Sequence, residues 1–166
     1  PYGLIGGLFF VVMFCYHGAL TLSMKTEGAL EKRAFTATKI LWNLLLVFTI
    51  IFVWATSVCT ETFERVATHP ISYAALFLGV VGLVASRLSL EGCRLGAWIG
   101  SALFILGVTF FGVSGMFPNI IISSIDPAFS ITVFNGASST LTLKIMLGVA
   151  LCAVPCVIGY QAWVYY

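Results

Sequence analysis

Long apolar runs separated by short polar connections dominate the pattern of this chain. Five of the runs have the length of about 20 residues that a helix needs to cross the hydrocarbon core of a bilayer. Because backbone amides in lipid must be bonded within their own segment, each run predicts a helix. The fold class predicted is all-α, a polytopic transmembrane helical bundle in which a four-helix bundle is followed by one further helix. The predicted spans, within a single integral membrane region over residues 1–166, are residues 2–24, 40–58, 71–90, 95–116 and 141–164.

Composition agrees with a membrane protein. Of the 166 residues, 60% are hydrophobic and 8% are charged, whereas an ordinary soluble domain carries about 25% charged residues. A soluble domain of this size cannot hide so much apolar surface, so lipid must be the solvent for most of the chain. The first residue is Pro1, and no basic start or cleavage site of a signal peptide follows it. We therefore expect the chain to be a piece of a longer protein.

Lysine and arginine alternate along the connections. Four lie around the first connection, one (Arg65) in the second and two (Arg87 and Arg94) around the third, whereas the fourth has none before Lys144. Basic residues collect on the cytoplasmic side of membrane proteins. The first and third connections and the C-terminus are therefore predicted to be cytoplasmic, and the loop 117–140 to be extracytoplasmic.

Two connections predict local structure of their own. Residues 25–34 read as a short interfacial helix, which Thr26 could cap. Residues 117–140 combine many turn-forming residues with apolar ones such as Phe129 and Phe134, which together carry too much apolar surface to be left in water. We expect this second segment to fold back as a cover over one end of the bundle.

His17 is the ionisable residue that lies clearly inside a span, about two turns before Met24. Such a residue is a functional hypothesis by default, here iron ligation, proton relay or quinone contact. Met13, four residues earlier, is a conceivable second haem ligand, because the other histidine, His69, lies in a polar loop. The alternative reading is a hydrogen-bonded packing histidine. The sequence thus predicts no catalytic residue, no metal site and no firm cofactor ligand, with His17 as the single candidate.

Small residues and one proline predict helix packing and shape. Gly96 and Gly100 form a small-xxx-small pair, and Gly112 and Gly115 add small surface further along the same run. Such pairs let the backbones of two membrane helices approach closely. Pro155 predicts a kink in the last span, because its ring removes one helical hydrogen bond.

Three segments of the chain resemble subunit II of the cytochrome bd-type quinol oxidases. Residues 17–34, from His-Gly-Ala-Leu to Lys-Arg-Ala, are similar to the family's "GA…L…KT-x-GEL…RA" loop, with Ala29 in place of the usual Glu. Residues 116–132 are similar to "MFP…SS…P…SLT". Residues 135–165, from Asn-Gly-Ala-Ser-Ser-Thr to Tyr-Gln-Ala-Trp-Val-Tyr, carry the third likeness. The likeness covers nearly the whole chain but only the C-terminal half of the family's subunit.

The resemblance implies a function for the complex rather than for this chain alone. The oxidase takes electrons from membrane quinol, reduces dioxygen to water with cytoplasmic protons and builds a proton-motive force without pumping. Haem b and haem d belong to subunit I, so subunit II is expected to bind no haem. In some members subunit II holds a structural quinone or lines a proton or oxygen route. The implied partners in the bacterial inner membrane are subunit I, lipid, quinol as substrate and a small accessory single-span subunit, with no nucleic acid.

Two other classes of protein share these features. A membrane carrier or channel would use the kinked last helix and the small-residue faces to form a path. A structural subunit of another membrane complex would need only the helices. Haem that copurifies with the complex, together with quinol-dependent oxygen uptake, separates the oxidase from both.

Overall fold

The computed structural model describes residues 2–60, 70–123 and 126–165, and Arg65 and His69 therefore lie outside the described residues. Five helices in the described part are long and apolar enough to cross a membrane. This confirms the predicted all-α transmembrane class. The helices are α1 (Tyr2–Lys25), α2 (Gly28–Cys59), α3 (Pro70–Ser89), α4 (Arg94–Met116) and α5 (Thr140–Tyr165).

The chain divides into two compact units, residues 1–116 and residues 117–166. In the first unit α1 packs against α2 and α4, and α3 packs against α4. One face of α1 supplies much of the core, because residues three or four apart share a helix face. The fully buried side chains of this face are Phe9, Met13, Tyr16 and Leu20.

The prediction of a separate interfacial helix over residues 25–34 is wrong, because α2 runs without a break from Gly28 to Cys59. Its 32 residues span about 48 Å at 1.5 Å per residue, more than the hydrocarbon thickness of about 30 Å. The first turns of α2 therefore extend beyond the hydrocarbon. Thr26 does not cap this helix: its hydroxyl donates to the Leu22 carbonyl at 2.7 Å and closes the last turn of α1. Glu27 holds the N-cap position, and Gly28 takes a φ of +70°, which glycine adopts without a steric penalty.

Helices α3 and α4 touch backbone to backbone. A Cβ placed on Gly100 would lie 2.6 Å from the Ser86 nitrogen, and one on Gly107 would lie 2.5 Å from the Gly79 Cα. Gly100 thus confirms the predicted close packing. Gly107 was not predicted, although it lies seven residues from Gly100 and so shares its helix face.

The other small residues of α4 contribute less to this contact. A Cβ on Gly96 would meet the side chain of Ser89 at 3.1 Å, whereas one on Gly112 would meet nothing within 4 Å. The expectation that Gly112 extends the packing face is therefore wrong. The reason is angular: five residues separate Gly112 from Gly107, which turns it about 140° away from the contact. Gly115 is buried.

The second unit begins with a small antiparallel ladder of β1 (Asn119–Ile121) and β2 (Ile131–Thr132), with a 3-10 turn at Pro127–Phe129 between them. The polar residues act as the turn formers and caps that the sequence predicts. Asn135 accepts the Thr132 N–H at 2.6 Å through its Oδ1, and the Ser139 hydroxyl accepts the Thr142 N–H at the start of α5. Helix α5 continues through Pro155. The covering role of this segment, the kink and the single integral membrane region stay predictions.

Candidate functional site around His17

His17 lies on α1 and bridges to α4. Its Nδ1 is 2.7 Å from the Ser101 hydroxyl, and its ring centroid lies 5.1 Å from the ring of Trp98 at an angle of 36°. The side chain of His17 is half-buried, whereas Ser101 is buried. The imidazole is therefore held on one edge by a hydroxyl and on one face by an indole.

The hydrogen bonds of Ser101 assign the tautomer of His17. A serine hydroxyl has one hydrogen, and that of Ser101 is donated to the Trp98 carbonyl at 2.8 Å. Both contacts of the Ser101 hydroxyl are satisfied together when Nδ1 of His17 carries the proton and donates it to the Ser101 oxygen. The other ring nitrogen, Nε2, then keeps its lone pair.

Trp98 and Thr21 close a ring of hydrogen bonds with these two residues. The indole N–H of Trp98 donates to the Thr21 hydroxyl at 3.0 Å, and that hydroxyl donates to the His17 carbonyl, also at 3.0 Å. Each donor in the ring has an acceptor. Such pairing matters in lipid, where an unpaired polar group costs free energy because no water replaces the lost bond. The ring fixes the imidazole in place between α1 and α4.

A second polar contact joins three helices beside this ring. The Ser86 hydroxyl donates to the Ala97 carbonyl at 2.8 Å, so the Tyr16 hydroxyl, 2.6 Å away, is the donor of the pair. Trp42 adds a link from α2 to α3 by donating to the Leu83 carbonyl at 3.2 Å. Sequence reasoning named neither Ser86 nor Ser101. The signal in the sequence is a serine inside an apolar run. The hydroxyl of such a serine forms a hydrogen bond to a neighbouring membrane helix or to its own backbone.

Arg94, at the start of α4, joins the ends of three helices. Its Nη1 donates to the Ser23 carbonyl of α1 at 2.8 Å and to the Glu31 carboxylate of α2 at 2.6 Å. Its guanidinium also lies 4.9 Å from the ring centroid of Phe35. The first and third connections therefore lie at the same end of the first unit. This agrees with the pattern of basic residues, which predicts both connections on one side of the membrane.

A second ion pair lies at that end, between Lys39 and Glu91, with 2.8 Å between nitrogen and oxygen. The side chain of Glu91 is largely exposed, and that of Lys39 is partly exposed. The hydrogen bond from Lys39 and its positive charge hold the pKa of the Glu91 carboxyl below its ordinary value. The pair thus connects α2 to the turn between α3 and α4 while the carboxylate is ionised.

The residues around His17 do not fit a haem held by two protein ligands. Two axial ligands approach the iron from opposite faces of the macrocycle, whereas Met13 and His17 lie on one helix at neighbouring positions about 5–6 Å apart. Met13 is also packed in the core with 1% of its surface exposed. Among residues 2–60, 70–123 and 126–165, no group of three or more His, Cys, Asp or Glu residues is placed to hold a metal ion. The absence of a bound cofactor stays a prediction.

Comparisons with known proteins bear on this architecture. A family profile described as cytochrome bd terminal oxidase subunit II matches residues 1–166. The chain is 27% identical over 167 residues to cytochrome bd ubiquinol oxidase subunit 2 of Bacillus subtilis, covering 99% of this chain and 48% of that protein. It is 30% identical over 192 residues to the probable cytochrome oxidase subunit 2 of Haemophilus influenzae, covering 99% and 51% of the two chains. It is 28% identical over 194 residues to cytochrome bd-I ubiquinol oxidase subunit 2 of Escherichia coli K12, covering 100% and 51%.

The chain spans about half the length of the curated relatives it matches. The match to the family nevertheless extends over every residue of this chain. The five apolar helices are those expected of a multi-pass membrane subunit. The chain therefore belongs to the family of cytochrome bd terminal oxidase subunit II.

Proposed function

We propose that this chain forms part of a haem-free subunit II in a complex that oxidises quinol and reduces dioxygen to water. Membership of the family supports the oxidase, and the position of Met13 supports the haem-free role. Met13 lies on the same helix as His17 and is packed in the core with 1% of its surface exposed, so it cannot serve as the opposite ligand of an iron bound by His17. In this proposal haem b and haem d, which carry out electron transfer and oxygen chemistry, are bound by subunit I.

The described residues of the chain act by holding helices together rather than by moving protons. The buried Ser86 hydroxyl donates to the Ala97 carbonyl of α4, and the buried Ser101 hydroxyl donates to the Trp98 carbonyl of its own helix. Tyr16 and His17 donate to these two hydroxyls. The carboxylates of Glu31 and Glu91 are ion-paired at one end of the first unit. In the complex, cytoplasmic protons would therefore reach the oxygen site by a route outside the described residues. Release of quinol protons on the opposite side builds the proton-motive force.

The orientation proposed for the chain follows from its basic residues. Lys39 and Arg94 lie in ion pairs at one end of the first unit, and this end is the cytoplasmic one under the positive-inside rule. The C-terminus is then cytoplasmic and the loop 117–140 extracytoplasmic, in a bacterial inner membrane. Subunit I, lipid and a small accessory single-span subunit are the proposed partners, and quinol is the substrate of the complex.

Spectroscopy of the assembled complex tests the oxidase. The full-length subunit is expressed together with its partner subunits and purified in detergent. The proposal expects visible absorption from haem b and haem d, and oxygen uptake when a quinol is added. A colourless complex would contradict the proposal, and transport by such a complex would favour the carrier or channel instead.

A pair of variants tests the haem-free role. His17→Ala removes the imidazole, whereas Ser101→Ala removes the same hydrogen bond and keeps the imidazole. The proposal expects both variant complexes to retain the haem absorption of the parent per mole of complex. Loss of one haem spectrum in His17→Ala, with a normal spectrum in Ser101→Ala, would show that His17 is an iron ligand.

A further inference from the structure

A cavity of about 300 Å³ lies among the four helices of the first unit. Its floor consists of buried residues, which include Phe9 of α1, Ala75 of α3 and Phe104 of α4. Its rim includes Val53 of α2, 39% exposed, and Val80 of α3, 55% exposed. The cavity therefore opens sideways between α2 and α3, toward whatever surrounds these two membrane spans.

The lining is apolar and offers a ligand no free hydroxyl hydrogen. Its two polar side chains are Thr49 and Thr56, and each hydroxyl donates to the carbonyl four residues earlier in α2 at 2.7 Å. Thr56 also has a hydroxyl partner in Tyr2 at 3.0 Å. A buried water needs two to four polar partners, and a lipid headgroup or quinone ring would likewise lose its hydrogen bonds here. The occupant must therefore be hydrocarbon.

The dimensions of the cavity favour a single extended chain. The lining follows α2 from Leu46 to Thr56 and α3 from Ala75 to Val84, which is about 15 Å along each helix axis. The cavity volume divided by this length gives a mean cross-section of about 20 Å². This area suits one hydrocarbon chain that lies along the helices. An apolar cavity of about 150 Å³ stays dry and takes up one benzene. Twice that volume has room for about twelve carbons.

We propose that this cavity binds one acyl chain of a membrane phospholipid, which enters from the bilayer between α2 and α3. Both helices are long and apolar enough to span a membrane, and acyl chains are the solvent at that depth. An acyl chain in the cavity restores the van der Waals contacts that the side chains lining an empty cavity lose. The proposal concerns the four-helix unit and does not depend on oxidase activity.

The experiment uses the full-length subunit in its assembled complex, reconstituted with a phosphatidylethanolamine that carries a diazirine in the middle of one acyl chain. After photolysis, labelled peptides are mapped by mass spectrometry. Val80→Phe and Val53→Phe place a ring at the two sides of the rim. Val47→Phe is the matched control, because Val47 is exposed on α2 and is not among the lining residues.

The proposal expects labels on the lining residues of α2 and α3. In Val80→Phe and Val53→Phe this labelling should fall about tenfold, which corresponds to a loss of about 1.4 kcal/mol in the binding free energy of the acyl chain. Val47→Phe should label the lining like the parent. Equal labelling of the lining in all three variants would overturn the proposal. It would also be overturned if the lining stayed unlabelled, or were labelled by a diazirine-bearing isoprenoid quinone but not by the phospholipid. The label is read without turnover, so a failed oxidase assay and a failed labelling experiment remain distinguishable.

Discussion

The backbone contact between α3 and α4 makes a sharp prediction for Gly107→Ala. The new Cβ would lie 2.5 Å from the Gly79 Cα and 2.8 Å from the Ala75 carbonyl oxygen. Both neighbours are backbone atoms, which cannot rotate away as a flexible side chain can. The two helices must therefore separate along this part of their contact.

Gly112→Ala on the same helix is the matched control, since its Cβ would meet nothing within 4 Å. Both substitutions gain the helix propensity of alanine over glycine, about 1 kcal/mol. This gain cancels when the variants are compared. The difference in unfolding free energy between them is therefore the cost of overpacking, about 1–3 kcal/mol, with Gly107→Ala the less stable.

Unfolding of the purified complex in mixed micelles, followed by loss of helical circular dichroism as SDS is added, measures this difference. Gly112→Ala should be as stable as the parent or more stable. If Gly107→Ala proved as stable as Gly112→Ala, the direct backbone contact between α3 and α4 would be wrong.

Three further predictions concern polar contacts. Ser101→Ala leaves Nδ1 of His17 without its partner and should destabilise the complex in the same SDS titration by about 1–3 kcal/mol. Ser114→Ala, whose hydroxyl donates to the Phe111 carbonyl of its own helix, should be close to neutral, and equal effects would argue against the hydrogen bond between Ser101 and His17. Arg94→Gln should cost about 1 kcal/mol, as expected for a half-exposed ion pair, and added salt should reduce the difference from the parent. The pKa of Glu91 is lowered in the folded protein. The stabilisation by its pair with Lys39 is therefore present above the unfolded pKa and is lost as pH falls through the folded pKa. Lys39→Gln should abolish that part of the pH dependence of the unfolding free energy, and an unchanged dependence on pH would contradict the pairing.

The sequence predicts the spans well because the bilayer imposes a requirement that can be read along one dimension. A run of about 20 apolar residues must be helical whatever its neighbours are. The partner of a polar residue is a different matter. His17 stands out in an apolar run, but its acceptor Ser101 lies 84 residues away, and a serine in a membrane helix is as often bonded to its own backbone. The sequence also does not predict the start of α2, because the charged and mixed segment 28–39 continues the helix beyond the hydrocarbon.

The three kinds of helix contact in the first unit explain why the cavity lies where it does. Glycines bring α3 and α4 into backbone contact, and hydroxyls hold α1 to α4 at ordinary side-chain distance. Helix α2 reaches α3 through a large residue instead: Trp42 donates to the Leu83 carbonyl, and Arg87 lies 5.4 Å from the centre of the Trp42 ring. A tryptophan is longer than a glycine or a serine, so α2 stands away from α3. Further along the two helices, where valine and threonine replace tryptophan, the gap is left unfilled, and this gap is the slot to which we assign a lipid chain.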